Sequence, residues 1–287
     1  MTPWWCAAGL AWSRLRLALA LFALSTCRVE ALLTPSSDAG SRTRREMALP
    51  SPFDDGPPSL FQGAGTDDRC VTFMSNLLSD GTFKNCHPVS MLLQTSTALF
   101  EAEKQSTSLV RVLDAACSVD VSVCADYLTK AAERLGDRAN CRAELDQGQP
   151  RVIQAQRGLR AYRTLYAASC LEEGGVYCFA RSVSNMSDPS NSYLYFIPLG
   201  MALPGGSTPS CNGCTRDIMN IYHASTANRG RLVSEKYAEA AQQINVVCGP
   251  DFVNATLPRP ESAAPAAGGR CRRVVAVAAV VMFALTL

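Results

Sequence analysis

Tryptophan is scarce: the three present, Trp4, Trp5 and Trp12, all lie within the first twelve residues. Histidine is scarcer, with His87 and His223 alone. Two histidines and one CxxC do not supply the clustered nitrogen and sulfur ligands of a zinc site, so no metal or cofactor is expected. No Gly-x-Ser-x-Gly elbow occurs, which removes the commonest local mark of a serine hydrolase. An excess of positive charge is missing from the middle of the chain. The whole sequence carries +2, but Glu46 to Ser262 holds 18 lysines and arginines against 23 acids, a net of −5. That balance excludes the basic footprint of a nucleic-acid binder. No apolar run reaches the roughly 20 residues that a spanning helix needs.

The longest apolar stretches instead sit at the two ends. Arg14 and Arg16 precede an eight-residue core, Leu17 to Leu24, and Val29 and Ala31 then supply small residues at a cleavage site. Charge, short apolar core and small residues in that order mark a secretory signal peptide over 1–31. At the other end, Val274 to Leu287 is a fourteen-residue apolar tail behind Ser262, Ala263, Ala264 and the spacer Pro265 to Arg273. Small residues, spacer and terminal tail match a glycosylphosphatidylinositol (GPI) signal, with Ser262 as attachment residue. A short membrane helix is the alternative reading of the tail. Arg44-Arg45 is a candidate dibasic processing site.

Cys6 and Cys27 belong to the leader and Cys271 to the GPI region, which leaves ten cysteines. These are Cys70, Cys86, Cys117, Cys124, Cys141, Cys170, Cys178, Cys211, Cys214 and Cys248. An even number in an oxidising compartment predicts five disulfides, with connectivity open. Asn185 and Asn254 stand in N-glycosylation sequons, Asn-Met-Ser and Asn-Ala-Thr.

Residues 32–69 are rich in Ser, Pro, Gly and Asp and read as a disordered linker or pro-segment. Residues 70–258 read as one cysteine-rich domain, 259–273 as a stalk and 274–287 as the removed tail. Within the domain the periodicity is helical. Val233, Tyr237, Ala240, Ala241, Ile244 and Cys248 form one stripe, ended by Gly249-Pro250. A second stripe runs from Val152 to Cys170, and Val89 to Glu103, Leu109 to Cys117 and Val121 to Leu135 read as further helices. Tyr193 to Ile197 alone reads as a strand. The expected class is an all-α, disulfide-stapled helical bundle with a disordered N-terminal arm and a short C-terminal stalk.

Several segments carry a family resemblance. Asn85-Cys-His-Pro-Val-Ser-Met-Leu-Leu-Gln-Thr-Ser96 resembles the first helix of a family of secreted, GPI-anchored fungal cell-surface proteins. Tyr177-Cys-Phe179, Phe196 to Gly206, Cys211-Asn-Gly-Cys214 and Ala241 to Pro250 are similar to later motifs of that family, in order. The family carries a domain of unknown function. The resemblance implies an extracellular address at a fungal membrane or wall and no assigned activity. The stalk here departs from a long Ser/Thr-rich spacer.

Cys211-Asn-Gly-Cys214 could be a redox pair, but no strand–helix–strand context surrounds it, so a structural staple is the better reading. Glu172-Glu173 reads as a solvated pair in a Gly-rich loop. Tyr193, Tyr195 and Phe196 form the most aromatic stretch: a binding surface if exposed, ordinary core if not. The expected function is non-enzymatic, structural or recognition, at a membrane or wall. Wall polysaccharide or wall proteins are the expected partners, and nucleic acid is not. Alternatives are a carrier of an apolar ligand such as a lipid, sterol or haem, and a wall-modifying glycoside hydrolase with two facing carboxylates.

Overall fold

The computed structural model describes residues 48–184 and 189–261. The leader, the dibasic pair, Asn185, Ser262, Cys271 and the apolar tail lie outside the described residues. Within them the fold is all-α, with one two-residue hairpin and five disulfides. The helices are α1 (Arg69–Ser79), α2 (Gly81–Asn85), α3 (Val89–Leu92), α4 (Thr97–Glu103), α5 (Ser106–Cys117) and α6 (Val121–Leu135). They continue as α7 (Arg142–Asp146), α8 (Pro150–Ser169), α9 (Cys178–Ser184), α10 (Ser190–Tyr193), α11 (Gly213–Ser225) and α12 (Val233–Cys248).

The periodic stripes become helices where local chemistry supports them. Asp120 accepts from the Ser122 and Val123 amides at 2.9 and 3.1 Å, satisfying two of the orphan donors that open α6. Pro150 opens α8, where its missing N–H costs nothing. Between α8 and α9, β1 (Glu172–Glu173) pairs antiparallel with β2 (Val176–Tyr177) through Gly174-Gly175. Both glycines have positive φ, the conformation a two-residue hairpin with matching twist demands.

Two hydrophobic clusters share α8. Val152, Ala155, Leu159 and Tyr162 join Phe61, Met74, Leu77, Phe83, Leu128 and Leu135 in one. Ala161, Leu165 and Ala168 join Leu113, Phe179, Tyr195, Ile218, Tyr222, Tyr237 and Ile244 in the other. A helix buried on more than one side must let neighbours approach closely, and α3 crosses α8 at Gly158. Each fully buried Leu or Ile contributes about 1.5–3 kcal/mol relative to exposure.

The bridges are Cys70–Cys141, Cys86–Cys124, Cys117–Cys170, Cys178–Cys214 and Cys211–Cys248. Three lie before the hairpin and two after it, so no bridge joins the two sets; α8 does so through packing.

Three expectations change. Residues 48–69 are not a linker: Phe53 and Phe61 are buried and meet edge to face at 4.8 Å. Asp54 from this segment caps α4, accepting from the Thr97 amide at 2.8 Å and the Ser96 hydroxyl at 2.6 Å. Val89 to Glu103 is two helices rather than one, because Ser96 is extended and its hydroxyl accepts from the Leu99 amide to open α4. Tyr193 to Ile197 is no strand: it ends α10 and enters a 3₁₀ turn, Leu194–Leu199. Asn191 holds that turn in place by accepting from the Ser210 amide at 2.7 Å. At the other end, Glu261 donates its amide to the Ala227 carbonyl at 2.9 Å, so the start of the stalk is docked on the domain.

Candidate functional site

The aromatic stretch does not form a surface. Tyr195 is fully buried and packs edge-on against Phe179 at 4.7 Å, while Tyr193 and Phe196 are half-buried against the same core. The CxxC reading is settled by geometry. A redox CxxC cycles through a bond between its own sulfurs, whereas Cys211 is bonded to Cys248 and Cys214 to Cys178. Glu173 is not merely solvated: it pairs with Arg181 beside that bridge. His223 makes a 2.9 Å bond through Nε2 to the Thr256 carbonyl, and His87, half-buried beside Cys86, is pushed down by burial. Among the described residues no group of three His, Cys, Asp or Glu could hold a metal ion.

Asn254 is exposed, and its Oδ1 accepts from the Thr256 amide at 3.0 Å and the Thr256 hydroxyl at 2.7 Å.

A groove lies where the sequence has no compact motif. It has a volume of about 640 Å³ and runs between α1, α6 and the turn that follows α6. Phe73 of α1 and Tyr127 of α6 are its half-buried aromatics. Around them stand Asp67, Arg69, Asn76, Asp80 and Arg134. Arg69 donates through Nε to Asp67 at 2.8 Å and through Nη1 to the Arg138 carbonyl at 3.2 Å, which holds the guanidinium across one end. Asp80 accepts from the Thr82 and Phe83 amides at 2.8 and 3.1 Å, capping α2.

Two of the groove's carboxylates are held in their ionised form. The Phe83 amide, then the Tyr127 hydroxyl, hold Asp80 below the usual carboxylate range. The Arg69 side chain does the same for Asp67. Burial and the bond to Asp80 push Tyr127 up to about 12. A glycosidase needs one carboxyl raised so that it stays protonated. Glu103, whose carboxyl burial holds above its ordinary value, does not line this groove. The groove is thus lined by three aspartates, two arginines, two asparagines and two half-buried aromatic rings.

Residues 48–257 match a family model described as a domain of unknown function, DUF7729. The chain belongs to the DUF7729 family. The match opens at residue 48, where the described structure also opens, and takes in the capping Asp54 and the buried Phe53 and Phe61. No curated protein and no solved structure matches the chain. The groove residues of this DUF7729 domain come from α1, α6 and one turn, too dispersed in sequence to have been singled out by spacing.

Proposed function

We propose that this protein is a secreted, N-glycosylated recognition domain, GPI-anchored through Ser262 at a fungal cell surface, whose α1–α6 groove binds wall polysaccharide without cleaving it. The observation that carries this reading is the groove itself. Aromatic faces stack on sugar rings, and the flanking carboxylates and amide bond hydroxyl groups. Both shifted acids in it are held ionised, which suits acceptance and not proton donation. The leader, the tail, five disulfides and the exposed Asn254 support the extracellular address. The apolar-carrier reading finds less support, because the large aromatics Tyr195, Tyr222, Phe179 and Phe83 are fully buried in packed cores.

The binding test is sedimentation of the purified protein with insoluble chitin, β-glucan or mannan. Wild type is expected to pellet with one of them, and Phe73→Ala/Tyr127→Ala of unchanged Tm to remain in solution. Equal pelleting of both forms, or of neither, overturns the groove assignment. The anchor is tested by phosphatidylinositol-specific phospholipase C on intact cells. Release is expected; retention of protein still carrying Val274 to Leu287 would mean a membrane helix.

A further inference from the structure

Helix α8 carries four arginines and no acid, within a stretch whose net charge is −5. Arg151 is used in a 3.0 Å pair with Asp55. Arg160 and Arg163 instead reach a second cleft, about 500 Å³, between α6, α8 and the turn joining α11 to α12. Arg160 donates through Nη2 to the Gly230 carbonyl at 2.8 Å, which ties that turn to α8. The turn in consequence brings Arg231 to the same cleft. The Arg231 side chain makes no hydrogen bond or ion pair with the described residues, and Arg163 is 3.7 Å from an exposed Asp126. Glu133 is the one acid of the lining.

Three guanidinium groups stand against Glu133 in the lining and Asp126 beside Arg163, which leaves this cleft net positive on an otherwise acidic domain. Like charges gathered in a concave site repel one another, and a bound anion relieves that repulsion. Guanidinium forks match tetrahedral oxyanions in bidentate geometry. A phosphate monoester presents three terminal oxygens and can take more than one fork at once, whereas a carboxylate presents two. The wall also holds Tyr162, 97% of it buried, since its relative exposure is 3%, with a hydroxyl that has no partner. Gln156 adds an amide. We propose that this cleft is a phosphate-monoester site, formed by Arg160, Arg163 and Arg231, that takes a phosphorylated sugar. It stands apart from the α1–α6 groove and does not depend on that reading.

The test is isothermal titration of the intact secreted protein with glucose 6-phosphate, inorganic phosphate, glucuronate and glucose. Glucose 6-phosphate is expected to bind, with affinity falling as NaCl rises, and glucose and glucuronate not to bind measurably. Arg231→Gln and Arg163→Gln should each weaken binding about tenfold or more, the scale of one charged hydrogen bond. Arg231→Gln removes no internal hydrogen bond or ion pair and Arg163→Gln only the exposed 3.7 Å pair with Asp126, so an unchanged Tm is expected alongside. Inorganic phosphate binding as tightly as the sugar phosphate would overturn the sugar part of the assignment. No binding by any phosphate, or undiminished binding in Arg231→Gln, would overturn the site. Phe73→Ala/Tyr127→Ala should leave phosphate binding unchanged, which separates the two sites.

Discussion

Gly158 and Ser90 approach so closely that a β-carbon on Gly158 would stand 2.9 Å from the Ser90 carbonyl oxygen and 2.7 Å from the Met91 sulfur. The sulfur could swing away; the carbonyl belongs to the α3 backbone and could not. Gly158→Ala gains about 1 kcal/mol in helix propensity and should nonetheless destabilise by about 1–3 kcal/mol, as overpacked cores do. Thermal unfolding checks the sign. A rise in Tm would mean that α3 and α8 separate freely.

Asp54 caps a helix that begins more than 40 residues later, accepting from Ser96, Thr97 and Ala98. Burial pushes its carboxyl up, but these bonds outweigh burial and hold it below the ordinary value. A depressed folded value means the stabilisation is complete above the unfolded value, about 3.9, and fades as pH falls through the folded one. Asp54→Ala should cost about 1 kcal/mol at neutral pH. The gap from wild type should close progressively below about pH 4, which urea unfolding at a series of pH values would follow.

Non-reducing digestion should yield cross-linked peptides joining Cys211 to Cys248 and Cys178 to Cys214. A closed Cys211–Cys214 loop in the mass spectrum would contradict the fold. Cys248→Ser should lower stability by about 2–5 kcal/mol and expose one thiol, Cys211, to an aromatic disulfide reagent.

Tyr222 is fully buried, and its hydroxyl has no hydrogen-bond partner among the described residues. An unpaired buried hydroxyl costs about 1–3 kcal/mol. Tyr222→Phe keeps the ring and removes that cost, so Tm should rise by about 2–4 °C per kcal/mol recovered. A fall would reveal an internal water bonded there.

Thr256→Ala removes the sequon hydroxyl that bonds Asn254 Oδ1. The secreted protein should lose one glycan, read as a mass decrease that matches glycosidase treatment at that site.

Helices with one continuous apolar face are legible from the sequence, whether capped by a side chain as at Asp120 or uncapped as at Leu232. Val121 to Leu135 and Val233 to Cys248 have the bounds that their periodicity predicts. The misreadings arose where a distant partner decides the conformation. Phe53 and Phe61 look like stray aromatics in a Pro/Gly-rich stretch until α1 and α4 are beside them. Tyr193 to Ile197 alternates like a strand, yet Asn191 bonding to Ser210 commits it to a helical turn. Both clefts escaped notice for the same reason: their side chains come from elements far apart in sequence. A local signal did exist for one of them, since four arginines without an acid on α8 is a conspicuous excess.

The order of the bonded cysteines carries a further consequence. Counted from Cys70, the first pairs with the fifth, the second with the fourth, the third with the sixth, the seventh with the ninth and the eighth with the tenth. No bridge joins nearest neighbours. As the chain leaves the ribosome, each new thiol first meets the one just before it, and every such encounter makes a wrong pair. Neighbour pairs formed in that way can be undone by thiol–disulfide exchange, on a scale of seconds to hours, so oxidative refolding of the reduced chain is expected to speed up when disulfide isomerase is added.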